Sequence, residues 1–489
     1  MSFTWDADTE RRLGDAIERV VEQQRIPGLN VAVVRGDDVV FSGSAGFADI
    51  EARTPMTPAH RQRIASITKT MVGLCIMALV DEGRLALDDL VRNHLPEIDF
   101  RGPAEDLRLR HLLTHTGGIG EAPTMESLAN YVNPNPDVRT PPGEFSSMYP
   151  DGIVIEARAG TKWAYANHGF ALLGEILTRT EAASLQDILD RRIFTPLGMR
   201  DTDILGEPSE SLATGYHRAP SEATRELLER AGIPVPDEPT VDGVNIRGKF
   251  TKEFNEGMNA AGGVQSNIAD MARYASALLR RGAGIVRPQT FDAMVAPQWC
   301  PDPRLESWGL AFARAEKCGR ATFGHGGAYF GGWNSNLTVV PEDNIAVIQH
   351  MNAMLDEPAT VFNTVLRALF DVQPTPDAAL TVDAGVLESA PGVYECTPGR
   401  LMNFRASTRF GRLHIYREGD ALFVRSRRGA WKSGVPLLPV DAADPELYAA
   451  ARDDGERPRI VLTRDAGSRV DGLRFDDCVH MVRSNAAPW

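Results

Sequence analysis

The chain has 489 residues, 43% of them hydrophobic and 24% charged, a composition ordinary for a globular protein with room for two or three domains. Its formal net charge of −14 argues against a nucleic-acid partner, because binding a phosphate backbone rests on a cationic face. Its longest strongly apolar run, Met71 to Val80, is far too short to cross a bilayer, so no membrane partner is expected.

The start, MSFTWDADTERRLGDAIERVV, has no apolar core flanked by basic residues, so a signal peptide is not expected and a cytoplasmic location is. Residues 9–25 put Leu13, Ile17, Val20 and Val21 on one stripe of an amphipathic helix. Two β-rich runs follow, LNVAVVR and VVFSGSAGFA, joined by the hairpin signal Gly36-Asp37-Asp38. From Ser66 to about residue 290 the pattern is mostly helical. Ser184 with Asp187, and Asn267 with Asp270, fit N-cap and N3 partners. Strand signals return over 307–350 (WGLAFARA, RATFGHG, NSNLTVVP, IAVIQHM), and a last amphipathic helix is expected at about 358–371. β elements at both ends with helices between them suit one sheet closed by the two termini, with an inserted α-helical region.

The segment 373–380 (QPTPDAAL) reads as a linker between a domain over 1–372 and another over 381–489. Beyond it, short runs (PGVYEC, LMNFRAS, RLHIYRE, ALFVRSR, RIVLTRD, GLRF) alternate with Gly, Asp and Pro, the pattern of an antiparallel β-barrel or sandwich. Two Pro- and Gly-rich stretches, 119–152 and 205–257, are expected as long loops.

Three stretches could carry chemistry. In RIASITKT, Ser66 and Lys69 are three apart at the mouth of an apolar helix and share a face. A hydroxyl needs a base to become a nucleophile, and an amine whose basicity is lowered by desolvation could be that base. Ser66 in the first turn would also aim free backbone N–H groups at a developing oxyanion. Alone, the pair equally fits an N-cap serine followed by a snorkelling lysine. In KWAYANHGFALLG, Tyr165 and Asn167 are two apart, so both could face one cleft; a core tyrosine and a loop asparagine fit as well. In TFGHGGAYFGGWNSNLTVV, His325-Gly326-Gly327 lies on a strand where a ligand could approach the backbone, or is a glycine-rich turn.

In that order the three motifs resemble the penicillin-recognising serine hydrolases, most closely class C β-lactamases and their relatives among esterases, D-aminopeptidases and peptide-cyclising thioesterases. LRHLLTHTGGI (107–119), IFTPLGM (193–199) and AAGGVQSNIADMARY (260–274) also look like this family, and the resemblance spans roughly residues 10–370. The tail resembles the lipocalin-like domain that some members append. The resemblance implies an α/β fold: a β-lactamase/transpeptidase-like antiparallel sheet drawn from both ends of the domain, an inserted helical region and a following β-barrel. It implies that Ser66 is acylated and that Lys69 and Tyr165 share proton transfer. The N–H groups of Ser66 and Ala328 would hold the oxyanion, while Asn167, His325, Gly326 and Gly327 would bind substrate. No metal or organic cofactor is expected. The substrate would be a small molecule or peptide, a carrier-bound peptide included, cleaved at an ester, thioester or amide. Where β-lactamases commonly carry Lys-Thr-Gly, this chain has His325-Gly326-Gly327, which weakens anchoring of a penicillin carboxylate. A true β-lactamase, or an inactive binding protein on the same fold, are the alternatives.

The remaining signals are weaker. His111 and His115 have i, i+4 spacing, but no Glu follows His111 as a helical zinc motif needs, and a structural role is the better reading. SGSAG (42–46) misses a nucleophile elbow by one residue. The five cysteines (Cys75, Cys300, Cys318, Cys396, Cys478) are odd in number and lack CxxC spacing, as reduced thiols do, and Cys75 sits among apolar neighbours. Between Arg405 and Lys432 lie Arg409, Arg412, Arg417, Arg425, Arg427 and Arg428. They fit a solvated strand face; alternatively one of them, or Arg483, reaches the cleft and pairs with a carboxylate.

Overall fold

Asp6 opens the first helix, α1 (Ala7–Gln23), by accepting from the Thr9 N–H at 2.8 Å, which satisfies one of the donors that every helix start leaves unpaired. The computed structural model of the chain describes residues 3–127, 145–204, 211–219, 242–248, 256–329, 331–355, 357–373, 380–397, 399–427, 429–452, 455–475 and 479–487. Half of the loop-rich stretch 119–152, and most of 205–257 and of the linker expected over 373–380, lie outside the described residues. The chain forms two compact units. One takes residues 1–85, 170–295 and 316–372; the other takes 86–169, 296–315 and 373–489.

In the first unit α1 is followed by β1 (Gly28–Arg35), β2 (Asp38–Asp49), β3 (Thr54–Pro55), α2 (Thr68–Asp81), α3 (Ile268–Leu279), β4 (Arg320–Tyr329), β5 (Trp333–Val340), β6 (Ile345–Met351) and α4 (Ala359–Phe370). The strands pair antiparallel in the order β4-β5-β6-β1-β2-β3. The hairpin expected at Gly36-Asp37-Asp38 joins β1 to β2, with Gly36 in the left-handed region at φ 60°. Strands from the two ends of this unit meet in the middle, Leu29 opposite Met351 and Arg35 opposite Ile345.

Alternation along β1 and β6 decides which helix covers which face. Leu29, Val31, Val33, Ile345, Val347 and Met351 share one cluster with Leu13, Ile17 and Val20 of α1 and Val361, Val365 and Leu369 of α4. Val21, expected on the α1 stripe, is only half-buried at its margin. The intervening residues face the other way, and α3 packs on β1 and β6. With both faces covered, β1 and β6 are buried almost throughout, which is why their sequences read as continuous apolar runs. Each fully buried aliphatic side chain here contributes about 1.5–3 kcal/mol.

A polar row crosses this sheet where His350 stands in register with Asn30 on β1 and Ser335 on β5. His350 is fully buried, and burial pushes its imidazole from 6.5 down to about 3. The folded chain therefore keeps it neutral, while the unfolded chain protonates it below about pH 6.5. The unfolded state binds the extra proton, so this site's stability is present above 6.5 and is lost as pH falls toward 3. Going from about pH 7.5 to about pH 5, we expect wild type to lose about 2 kcal/mol more unfolding free energy than His350→Gln. Urea melts at the two pH values measure this, and parallel behaviour of the two proteins would remove His350 as the acid-sensitive group.

In the second unit eight antiparallel strands, β7 (Gly392–Cys396), β8 (Leu413–Glu418), β9 (Ala421–Ser426), β10 (Val435–Asp441), β11 (Asp444–Ala450), β12 (Arg459–Arg464), β13 (Val470–Phe475) and β14 (Val479–Ser484), form a closed barrel in chain order. Tyr394 of β7 pairs with Arg483 of β14 to close it. Side chains fill its interior, among them Tyr394, Ile415, Val424, Leu437, Tyr448, Leu462, Leu473, Phe475 and Met481. Closure leaves no open edge, which suits short strands with few residues to spare. LMNFRAS, expected as a strand, is instead a turn and a short helix, α5 (Phe404–Arg409). Its Leu401 packs with Ala122 rather than in the barrel interior.

Candidate active site

Ser66 lies in a single 3-10 turn, Ala65–Ile67, that runs straight into α2. Ala65 before it takes a left-handed φ of 48°, a conformation that costs a non-glycine residue and recurs at functional turns. Lys69 is completely buried. Its Nζ donates to Ser66 Oγ at 3.0 Å and to the Ala261 carbonyl, and it sits 5.6 Å from the Phe170 ring centre. The AAGGVQSN stretch holds that carbonyl in place. The Ile64 N–H donates to the Val264 carbonyl at 3.1 Å, Val264 donates its own N–H to Thr68 Oγ1 at 3.1 Å, and Gln265 pairs with Arg63. An ammonium in so dry a place is costly unless hydrogen-bonded, and the two oxygens meet that need.

The His-Gly-Gly strand lies against the same turn. The Ile64 carbonyl accepts from Ser335 Oγ at 2.7 Å, and Ser335 is opposite Gly327 in the β4–β5 pair. A Cβ at Gly327 would come within 2.2 Å of the Ile64 oxygen, so only glycine lets the Ser66 turn approach β4 this closely. Along β4, Gly326 and Ala328 are exposed while His325 and Gly327 are buried. His325 Nδ1 donates to the Gly326 carbonyl at 2.6 Å. In a neutral ring this leaves Nε2 as the unprotonated nitrogen.

Tyr165 and Asn167 belong to the second unit. Both are half-buried with buried Ala166 between them, the alternation expected for two side chains facing one way. The Tyr165 ring stacks on His115 at 4.2 Å between centres, and Trp308 meets it edge-on at 6.0 Å. His115 is fixed in turn, its Nδ1 accepting from the Ala166 N–H at 3.2 Å. Asn167 Nδ2 donates to Glu121 Oε1 at 2.8 Å. Glu121 pairs with Arg405 of α5, whose guanidinium lies 4.5 Å from the Tyr165 ring centre.

The structure thus brings Ser66, Lys69 and the 325–328 strand together in one unit, and Tyr165 and Asn167 together in the other. Sequence reasoning gave His115 a structural role and missed the supporting residues Glu121, Trp308 and Arg405. His115 and Glu121 sit in or beside the LRHLLTHTGGI stretch, a signal that was visible but silent about roles. His115 lies beyond the helix Leu109–Leu113, with a φ of 56°, so it does not share a helical face with His111. Among the described residues no group of three or more His, Cys, Asp or Glu could hold a metal ion. The Cys75 thiol is fully buried and pushed up to about 12 by that burial, which suits packing and not nucleophilic work. Of the tail arginines, Arg412 pairs with Glu395, Arg417 with Asp420 and Arg425 with His414, while Arg483 donates to the Ser389 and Val470 carbonyls. Arg428 lies outside the described residues.

A family model described as Beta-lactamase matches residues 13–371, and the chain belongs to that family. Esterase EstB of Burkholderia gladioli is 28% identical over 325 residues, which cover 64% of this chain and 82% of EstB. Among solved structures, the octameric penicillin-binding protein homologue from Pyrococcus abyssi is similar with a TM-score of 0.62 at 22% identity, covering 97% of this chain and 99% of its own. The D-amino acid amidase from Ochrobactrum anthropi SV3, complexed with L-phenylalanine amide, has a TM-score of 0.59 at 23% identity, covering 75% of this chain and 99% of its own. At these identities the structural likenesses speak for the fold.

Proposed function

We propose that the protein is a serine hydrolase or acyl transferase that works through an acyl-enzyme on Ser66. The observation that carries this reading is the 3.0 Å bond between Ser66 Oγ and the fully buried Lys69 Nζ. Lys69 and Tyr165 share the proton that Ser66 loses as its Oγ attacks the substrate carbonyl. The backbone N–H groups of Ser66 and Ala328 hold the resulting oxyanion, each worth roughly 3 kcal/mol. Collapse of that intermediate expels the alcohol, thiol or amine, and water or a second amine then releases the acyl group. Asn167 and the strand His325-Gly326-Gly327 bind the substrate's amide.

The scissile bond is an ester, thioester or amide of a small peptide or amino-acid derivative. Membership in the family supports the acyl-enzyme, and the names of the relatives, an esterase and a D-amino acid amidase, support ester and amide substrates with D-configured residues favoured. A carrier-bound peptide is the extended form of the same substrate class. We also propose the division into a hydrolase domain (1–372), a linker (373–380) and a lipocalin-like barrel (381–489). Among the described residues no helix is long and apolar enough to cross a membrane, and we propose a cytoplasmic location.

A panel of p-nitrophenyl esters, D- and L-amino-acid amides, peptidyl thioesters and nitrocefin tests the reading. We expect turnover of esters and of D-amides or thioesters, with nitrocefin slowest. Product masses separate water from an amine as acceptor. Turnover of nitrocefin alone would make this a β-lactamase. No turnover, together with no mass added to Ser66 by a fluorophosphonate, would make it a binding protein.

A further inference from the structure

Residues 401–405 are docked on the Tyr165 side of the second unit by several independent contacts. The Glu121 N–H donates to the Leu401 carbonyl, and the Met402 N–H donates to Glu156 at 2.8 Å. Gly120 permits this approach, since a Cβ there would fall 2.3 Å from the Leu401 carbonyl carbon. The docking delivers Arg405, from a point 284 residues along the chain, to Glu121, which it grips with two bonds of 2.6 and 3.0 Å. Glu121 is nearly fully buried and Arg405 half-exposed.

From this geometry we infer that Arg405 and Glu121 are positioning residues for Tyr165 and Asn167, so that the C-terminal barrel unit supplies a working part of the active site. The inference rests on the serine-hydrolase reading above and deepens it. The Glu121 carboxylate, gripped by the Arg405 guanidinium, accepts hydrogen bonds. Its bond from Asn167 Nδ2 therefore fixes which end of that amide is which. The NH₂ faces Glu121, and Oδ1 is turned the other way. Arg405 does a second job over the Tyr165 ring, where its planar cation holds the phenol in place and favours the deprotonated oxygen. Among the described residues of this unit, charged and titratable groups beside Tyr165 include Arg405, Glu121 behind it, and His115 stacked on the ring; Trp163 and Trp308 carry no charge. Removing Arg405 would leave Glu121 buried with Asn167 as its remaining side-chain donor here, and would free the ring face at the same time.

Kinetics on the best ester, from about pH 5 to pH 9, would compare full-length wild type with Arg405→Met, Arg405→Lys and Leu401→Ala. Arg405→Met should lower kcat roughly ten- to a hundredfold while KM changes less than about threefold. Its acid limb in kcat/KM should move up by roughly half a unit to one unit, because the phenolate loses a neighbouring cation. Arg405→Lys keeps the charge, so the limb should return, but an ammonium cannot grip Glu121 as a fork does, so kcat recovers only in part. Leu401→Ala loosens the docking alone and should lower Tm without moving the limb. Unchanged kcat and an unmoved limb in Arg405→Met would overturn the inference whatever Tm does. So would a fall in kcat with the limb in place and no recovery in Arg405→Lys, the behaviour of a structural staple. Ser66→Ala in the same assay separates the two readings. Full activity there overturns the nucleophile and Arg405's part with it, whereas a dead Ser66→Ala beside an unaffected Arg405→Met overturns Arg405's part alone.

Discussion

Replacing Ser66 by alanine is expected to lower kcat/KM roughly a thousandfold or more on every substrate the enzyme accepts, with the fold intact. The hydroxyl is half-buried and the Oγ is the only atom lost. Its one described side-chain bond is from Lys69, so stability should change by no more than about 1 kcal/mol. The turn itself is held by other groups, the Ile64 carbonyl on Ser335 and the Ile64–Val264 backbone pairing. Far-UV circular dichroism and Tm should therefore match wild type, while a fluorophosphonate should add its mass to wild type and not to the variant. Wild-type turnover in Ser66→Ala would remove the nucleophile assignment.

Lys69→Met should be nearly as damaging to turnover and yet should not destabilise the protein. The lysine side chain is completely buried in α2, so its aliphatic stem is packed like a core residue. Methionine keeps that stem's volume and removes only the charged end. Burying an ammonium is unfavourable beside burying an apolar group of similar size, so Tm is expected to stay level or rise even as kcat/KM falls roughly a thousandfold. That opposition is the signature of a site where stability has been given up for function. Lys69→Ala should lose activity too, but also about 2–5 kcal/mol of stability from the cavity it opens. A Ser66→Ala, Lys69→Met double variant should be scarcely worse than either single change, because the two groups act as a unit. If Lys69→Met keeps more than about a tenth of kcat/KM, the amine is not needed for proton transfer.

Much of the local structure could be read from residue order. The α1 stripe apart from Val21, the Gly36-Asp37 hairpin and the caps at Ser184 and Asn267 stand as expected, since each depends on neighbours a few residues away. The β-rich runs at the two ends were read as one sheet closed by the two termini, and β1 does pair with β6. LMNFRAS was misread because its composition suits a short strand or a short helix equally. The docking of Leu401 beside Ala122, a contact distant in sequence, settled the matter.

By itself the sequence determined which groups could do chemistry: a serine and a lysine one helical turn apart, a phenol and an amide two apart, and glycines on a strand. Spacing that short is fixed by helix and strand geometry, whatever the rest of the chain does. Only tertiary structure decided what surrounds them. Nothing local to Lys69 says that the Ala261 carbonyl will accept from it. Nothing near Tyr165 says that an arginine from the barrel unit will lie on its ring, or that Glu121 will hold both that arginine and Asn167. Those partners are set by packing between segments 46 to 284 residues apart, where a periodic pattern in the sequence carries no information about which surfaces meet.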